Sequence, residues 1–304
     1  MTQDPARAAG EPLFSVVVCT RDRPERVRKT LEALRSQTRN HFPVVVVDQS
    51  SPPDAQLSGQ AAGHPSLEVV HDDGSGLSRA RNIGARRVET EWVAFLDDDC
   101  LPEPDWAERL EEELARHPEA DLVTGHVEAG SPPGDYVPAS AFPVERPGLR
   151  RGRFCHPGHL GLGVCMAVRR GAIERLGGWD ERLGAGVPRF PAAEDMDFNY
   201  RLLRSGGSGF VTPAPRARHE QWRSPRELQS LQRGYMRGWA GFAAKHLRTG
   251  DPLGGLWLLM IGAVDVLDML DDALRRRSRL RLRLAGAKLR GLVEGTAAGL
   301  RERW

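Results

Sequence analysis

Cysteine is scarce in this sequence: Cys19, Cys100, Cys155 and Cys165 are the four in 304 residues, at irregular spacings. With no secretory signal peptide recognisable, that scarcity argues against a disulfide framework and leads to the expectation of reduced thiols in a cytoplasmic protein. Aromatic residues make up only 6%, and the seven Trp are scattered. No Lys/Arg stripe interleaves with them, so no nucleic-acid partner is expected. The first apolar run is not followed by Gly-x-Gly-x-x-Gly or by Gly-Lys-Ser/Thr, which argues against a dinucleotide-binding Rossmann domain and a P-loop NTPase. Internal repeats and low-complexity segments are missing as well. What is there is 40% apolar and 28% charged, a globular composition with room for one large α/β domain and an appendage, or for two domains. The net charge of +2 conceals an asymmetry: acids gather at 97–121 and 265–272, arginine at 146–153 and 275–283.

Buried strands are expected at Phe14–Cys19, Pro43–Val47, Leu67–Val70, Trp92–Leu96 and Leu122–Val127, with a further apolar segment at Gly163–Val168. Helices are expected to open at Pro24, Ser78, Pro104, Gly171 and Glu194, and a helical region from about Pro225 onward. Strands alternating with helices at short spacing imply an α/β fold with a mostly parallel sheet. Residues 130–160, rich in Pro, Gly and Arg, read as a long surface excursion.

Asp97-Asp98-Asp99 close the apolar run Trp92–Leu96, which places three carboxylates at the carboxyl edge of the sheet, where open α/β sheets bind ligands. Adjacent carboxylates repel one another, and a hard divalent cation offsets that repulsion; the ordinary alternative is a solvated acidic turn. Asp48, ending the second strand, could accept hydrogen bonds from a nucleobase or ribose, or simply cap the turn Gln49–Pro53. Arg79 and Arg81 sit at a helix N-terminus, where helix dipole and guanidinium together suit phosphate, although a solvated face is the plain alternative. Glu194-Asp195-Met196-Asp197 opens another helix. Its acids are either N-terminal caps or the source of a general base beside a metal-bound diphosphate.

Taken in order, these segments resemble the family-2 glycosyltransferases, inverting enzymes of the GT-A fold. The matching pieces are Ser-Val-Val-Val-Cys-Thr-Arg-Asp-Arg-Pro (15–24), Val-Val-Asp (46–48), Ala-Arg-Asn-Ile-Gly (80–84), Phe-Leu-Asp-Asp-Asp (95–99), Gly-Gly-Trp-Asp-Glu (177–181) and Glu-Asp-Met-Asp (194–197). The resemblance implies a nucleoside-diphosphate sugar donor, UDP by family habit, a Mn2+ or Mg2+ cofactor and a glycan, lipid-linked or small-molecule acceptor. It further implies donor contacts from Thr20, Arg21, Asp48, Arg81, Asp97 and Asp98, metal ligation by Asp99 with Asp97 and His219, and Asp195 as catalytic base with Glu194 as the fallback. Two positions depart from the pattern. Cys165 stands where relatives often carry Asn, and Ala192-Ala193 replace the diglycine that commonly precedes the Glu-Asp pair.

The expected organisation is a loose tail at 1–12, a catalytic domain at 13–224 with a nucleotide-sugar half at about 13–100 and an acceptor half at about 101–224, and a helical region at 225–304. Leu253–Val264, uncharged between Asp251 and Asp265, is shorter than the roughly 20 apolar residues of a membrane span. Asp265, Asp268 and Asp272 share one helical face, and Leu259, Val266, Leu270 and Leu274 can occupy the other. Arginines from Arg275 to Arg283 follow. A helical hairpin packed on the catalytic domain or across a homodimer is one reading; an interfacial segment on anionic lipid at the inner face of a membrane is the other. Cys155, His156, His159 and Cys165 fit no familiar zinc spacing. Outside glycosyl transfer, a sugar-phosphate nucleotidylyltransferase would need a glycine-rich N-terminal loop that Val18–Asp22 does not offer, and a non-catalytic nucleotide-sugar-binding scaffold would draw its support from Cys165.

Overall fold

A run of β-branched residues forms β1 (Phe14–Thr20), which pairs in parallel with β2 (Val44–Asp48) and β4 (Trp92–Asp97); β3 (Leu67–His71) lies outside β2. The computed structural model describes residues 11–62, 66–130, 141–220 and 225–304. Most of the expected tail and residues 131–140 of the 130–160 excursion lie outside the described residues. Side chains of the central strands alternate between two faces, as strand geometry requires. Val16, Val18, Val46 and Leu96 pack with Leu31 of α1 (Pro24–Arg35) and Trp106 of α4 (Trp106–Arg116). Val17, Val45, Val47 and Phe95 face the other way, toward Ala80 of α3 (Leu77–Arg87), Ile173 of α5 (Arg170–Leu176) and Phe198 of α6 (Glu194–Arg204). Burial on both faces explains why these strands read as continuous apolar runs.

The sheet runs β3-β2-β1-β4-β8-β6-β9-β5, with β7 (Gly148–Arg151) on β9. Here β5 is Cys100–Pro102, β6 Leu122–Ala129, β8 Cys165–Arg169 and β9 Ser208–His219. The expectation of a mostly parallel sheet holds from β3 to β4. Beyond β4 the sheet is mixed: β8 pairs antiparallel with β4 and β6, β9 pairs parallel with β6, and β5 and β7 pair antiparallel with β9. The helix α2 (Ala55–Ala62) and the strands β5 and β7 lack the long apolar pattern that marks the other elements.

Three long helices, α7 (Pro225–Arg248), α8 (Pro252–Arg275) and α9 (Arg279–Arg301), form the C-terminal region. Phe242 and His246 of α7 pack on Tyr200 of α6. Close approach of α9 to α7 depends on glycine: a Cβ at Gly295 would stand 2.3 Å from the Arg237 carbonyl. Asp251 caps α8, accepting Gly254 N–H at 3.0 Å, and Pro252 suits its first turn. The inner face of α8 differs from the expected one. Gly254, Gly255, Leu258, Gly262 and Val266 are buried, while Leu270 and Leu274 point outward. The helix also continues past Asp265 to 24 residues, long and apolar enough by length and composition to cross a membrane. Small residues decide its orientation, since only they let α8 lie close against α7.

Candidate active site

The carboxyl ends of β1 and β4 stop side by side, because the parallel register pairs Cys19 with Asp97. That register aligns the acidic triplet with the loop Thr20–Arg23. The triplet divides. Asp98 turns inward, accepting Thr20 Oγ1 at 2.7 Å and Arg23 Nη1 at 2.9 Å; burial pushes its carboxyl up to about 6 against the pull of Arg23. Asp99 is shared: its Oδ2 lies 3.6 Å from the same Arg23 Nη1, and its other oxygen meets a histidine. The antiparallel pairing of β5 with β9 sets His219 opposite Cys100, and His219 Nε2 lies 3.1 Å from Asp99 Oδ1, with both residues buried. The Cys100 thiol is within 4.8 Å of the same atoms, but burial and the neighbouring carboxylates raise it well above the ordinary thiol range, and a soft sulfur donor is foreign to hard cations.

Arg81 joins the two halves of the site. Its guanidinium lies 3.4 Å from Asp97 Oδ1 and 3.4 Å from Glu194 Oε1, and donates to the Gly163 carbonyl at 3.1 Å. A Cβ at Gly163 would stand 2.5 Å from that guanidinium and would displace it. Burial raises the Asp97 carboxyl, Asp99 adds to the rise, and Arg81 opposes it. Glu194 is pushed up to about 7 by burial and by the charge of Asp195, again against Arg81. Asp195 is held by its backbone surroundings: Oδ2 accepts Gly163 N–H and Oδ1 accepts Met196 N–H, each at 2.8 Å.

These groups border one cavity of 530 Å³, the size of a small-molecule site. Thr20, Arg21, Arg81, Asp97, Asp98, Asp99, Glu194, Asp195 and His219 all reach it. Asp48 is not brought to its wall; that carboxylate accepts Ser50 N–H at 2.9 Å and Asp54 N–H at 3.0 Å, the turn-capping role, and Gln49 lines the cavity instead. Arg79 forms a paired contact with Asp72 and stays off the wall; that hydrogen bonding lowers Asp72 to about 2. Cys165 is a core residue, its sulfur accepting Trp106 Nε1–H at 3.2 Å, so it neither contacts the cavity nor joins Cys155, His156 and His159 in a metal cluster. Ala192 and Ala193 do border it.

Sequence reasoning missed Arg23 and the α7 wall, where Tyr235 and Trp239 close the side of the cavity beside Met196. A signal for Arg23 existed: neighbouring parallel strands end at one edge, so a cation just after β1 belongs near acids just after β4. The matching segments 80–84 and 177–181 meet away from the cavity, where Asn82 Nδ2 donates to the Trp179 carbonyl at 2.9 Å and Trp179 N–H returns a bond to Asn82 Oδ1 at 2.8 Å.

The sequence profile of glycosyl transferase family 2 matches residues 15–177, more than half of the chain, and those residues contain both Arg81 and the acidic triplet. The chain belongs to glycosyltransferase family 2. An uncharacterized glycosyltransferase of Haemophilus influenzae is 25% identical to this family member over 194 residues, 63% of this chain and 62% of that protein. The pre-mycofactocin glycosyltransferase of Mycobacterium tuberculosis is 28% identical over 261 residues, 81% of this chain and 52% of that protein. The chain thus spans between about half and 62% of these relatives' lengths. Two solved structures share the fold of this family-2 chain. The mannosyltransferase PcManGT of Pyrobaculum calidifontis, in complex with GDP-Man and Mn2+, superposes with a TM-score of 0.59 at 17% identity, covering 93% of this chain and 87% of its own. TarS 1–349 of S. aureus superposes with a TM-score of 0.55 at 18% identity, covering 94% and 90%, and its structures include complexes with UDP and UDP-GlcNAc.

Proposed function

We propose that the chain is a metal-dependent inverting glycosyltransferase that moves a sugar from a nucleoside-diphosphate donor, with UDP as the nucleotide, to an acceptor hydroxyl. The observation that carries this reading is the convergence on one cavity of the Asp97–Asp99–His219 group from the sheet edge and Asp195 from α6. Carboxylate oxygens and a buried imidazole form a donor set suited to Mn2+ or Mg2+, so Asp99 and His219, with Asp97 beside them, are the residues that would hold the cation. When bound, it would neutralise the diphosphate as charge develops on the leaving group.

The chain's own residues account for the rest. Arg81 is a fixed positive charge between the donor edge and α6. Asp195, locked by two backbone N–H groups, takes the proton from the acceptor hydroxyl. The acceptor oxygen then bonds to the anomeric carbon as the bond from that carbon to the diphosphate breaks on the opposite face, and a single displacement inverts the configuration. Tyr235, Trp239 and Met196 offer the acceptor an apolar wall on the α7 side. The solved complexes with UDP, UDP-GlcNAc and GDP-Man support a nucleotide-sugar donor, and the carboxylates lining the cavity oppose the scaffold reading.

Thermal unfolding with a panel of UDP, GDP and dTDP sugars, with and without Mn2+, tests the proposal. A ligand that binds only the folded state raises its midpoint. A rise with UDP sugars that depends on Mn2+ is expected; no rise with any nucleotide would sink the donor site.

A further inference from the structure

The outer face of α8 carries an apolar stripe that stays exposed among the described residues. Leu253, Leu256, Met260, Val264, Leu267 and Leu274 recur at helical spacing along one side, each between 48% and 80% exposed. At 1.5 Å per residue the stripe is about 30 Å long. The opposite face is committed to the protein. A Cβ at Gly255 would stand 2.2 Å from Leu247 N, one at Gly262 would stand 2.8 Å from the Trp239 ring, and Trp239 Nε1–H donates to the Leu258 carbonyl at 2.9 Å. The helices that hold it, α7 and α9, are charged along their length and are not apolar enough to enter lipid with it, so the length of α8 does not make it a span. A place on a membrane surface suits it better.

Charge gathers at one end of the stripe. The tight α8–α9 turn holds Arg277 in the left-handed region at φ 49°, and Ser278 caps α9. Arg277, Arg279 and Arg283 make no ion pair among the described residues. Most acids of α8 are already offset: Asp265 by Lys288 at 2.6 Å, Asp271 by Arg275 at 2.7 Å, and Asp272 by Arg276 at 2.6 Å and by Arg281. Exposed Leu280 and Leu282 stand among the arginines.

We infer that α8 and the α8–α9 corner form a docking surface for an anionic lipid membrane, with the stripe lying at the acyl boundary and the free arginines on headgroup phosphates. An apolar face and a basic cluster are each weak membrane signals alone, and stable attachment takes two. A second copy of the chain fits the same surface less well. Parallel pairing of two α8 helices would bring the arginine corners together. Antiparallel pairing would set each corner beside the partner's Leu253 end, where Asp251 is already held by Arg204 at 2.8 Å and Tyr200 at 2.6 Å.

Sedimentation of the full chain with vesicles of phosphatidylcholine alone, or mixed equally with phosphatidylglycerol, tests this independently of any transfer activity. Binding to the anionic vesicles, weakened by salt, is expected, with little binding to neutral ones. Replacing Arg277, Arg279 and Arg283 together by Gln should weaken partitioning by about 100-fold, at the usual contribution of a basic residue near such a surface. Met260→Asp with Leu267→Asp should abolish it while circular dichroism and the thermal midpoint hold, since both side chains are exposed. The inference is overturned by failure of the wild-type chain to sediment with anionic vesicles, or by equal binding to both kinds. It is also overturned if Met260→Asp with Leu267→Asp turns a dimer into a monomer and leaves vesicle binding unchanged, which would assign the stripe to a second copy.

Discussion

Lys245 Nζ lies 2.8 Å from Asp197 Oδ1, and through that contact α7 is fastened to the helix that carries Asp195. Asp197 is fully buried and is also met by Arg201 Nε at 2.7 Å and His246 Nε2 at 2.9 Å, while Lys245 reaches Asp180 at 2.7 Å. A buried carboxylate left short of a partner costs more than the pair contributes, so the direction of a deletion here is clear. Lys245→Met should lower unfolding free energy by about 3 kcal/mol, toward the lower end for broken buried pairs because Arg201 and His246 remain. Urea denaturation measures it, and a change under about 0.5 kcal/mol, the size of an ordinary surface substitution, would show the bridge to be idle.

The same carboxylate gives the fold an acid limit. Burial alone would push Asp197 up, but the His246 hydrogen bond and the charges of Lys245 and Arg201 outweigh it and hold the group well below the ordinary carboxylate range. A depressed folded value means the stabilisation is fully present above the unfolded carboxylate value of about 4 and is lost as pH falls below it. Wild-type unfolding free energy should therefore drop steeply with acid below about pH 4, and Asp197→Asn should flatten that slope while lowering stability at neutral pH. Equal slopes for the two proteins would count against the assignment.

Ala193, at the start of α6, has φ 73°, the left-handed region that favours glycine. For an L-residue that conformation costs roughly 1–2 kcal/mol, whereas glycine loses about 0.4–1 kcal/mol through the greater freedom of its unfolded chain. Strain relief is the larger of the two, so Ala193→Gly should stabilise the protein by about 0.5–1 kcal/mol in urea denaturation. A loss of stability would mean that the buried Ala193 methyl, packed in the cluster with Phe190 and Phe242, outweighs the strain. The outcome bears on function as well, because the strained residue immediately precedes Glu194-Asp195.

Much of this architecture could be read from the residues. Strands buried on both faces announce themselves as apolar runs, and an acidic triplet at the end of one of them must sit on a sheet edge. Local pattern does not encode long-range register, however. That Arg23 reaches both Asp98 and Asp99 while Asp99 also meets His219 follows from β1 lying beside β4 and from the β5–β9 pairing, neither visible in any short window. Asp48 ends its strand where the apolar run predicts, and its carboxylate caps its own turn, off the cavity wall. The phase of α8 departs from its hydrophobic periodicity because three of its six buried residues are Gly254, Gly255 and Gly262, which that periodicity does not count.

Metal dependence should trace to the pair His219 and Asp99. Mn2+ titration in the presence of UDP is expected to show affinity falling in His219→Ala and in Asp99→Asn by at least the roughly 10–100-fold that follows loss of a mere outer partner of a ligand. Chelation should stop transfer, and added Mn2+ or Mg2+ should restore it. Unchanged Mn2+ affinity in both variants would remove these residues from the metal site.

The two acids at the start of α6 should separate by their kinetics. Glu194 is tied to Arg81 at 3.4 Å, deep in the protein, and its value of about 7 would by itself suit a base working near neutrality. Both acids border the cavity, but geometry favours Asp195, which is the less buried of the two and is aimed by the Gly163 and Met196 N–H groups. Asn at 195 keeps an acceptor oxygen for Gly163 but cannot take a proton. Asp195→Asn should therefore cut kcat by about 10²–10⁴-fold while UDP-sugar affinity stays close to wild type. Glu194→Gln frees one side of Arg81, which then loses its alignment toward Asp97, so its defect should fall mainly on donor KM. If the pattern reversed, with Glu194→Gln losing kcat and Asp195→Asn losing only affinity, the base would be Glu194 and the neighbouring aspartate its positioning residue.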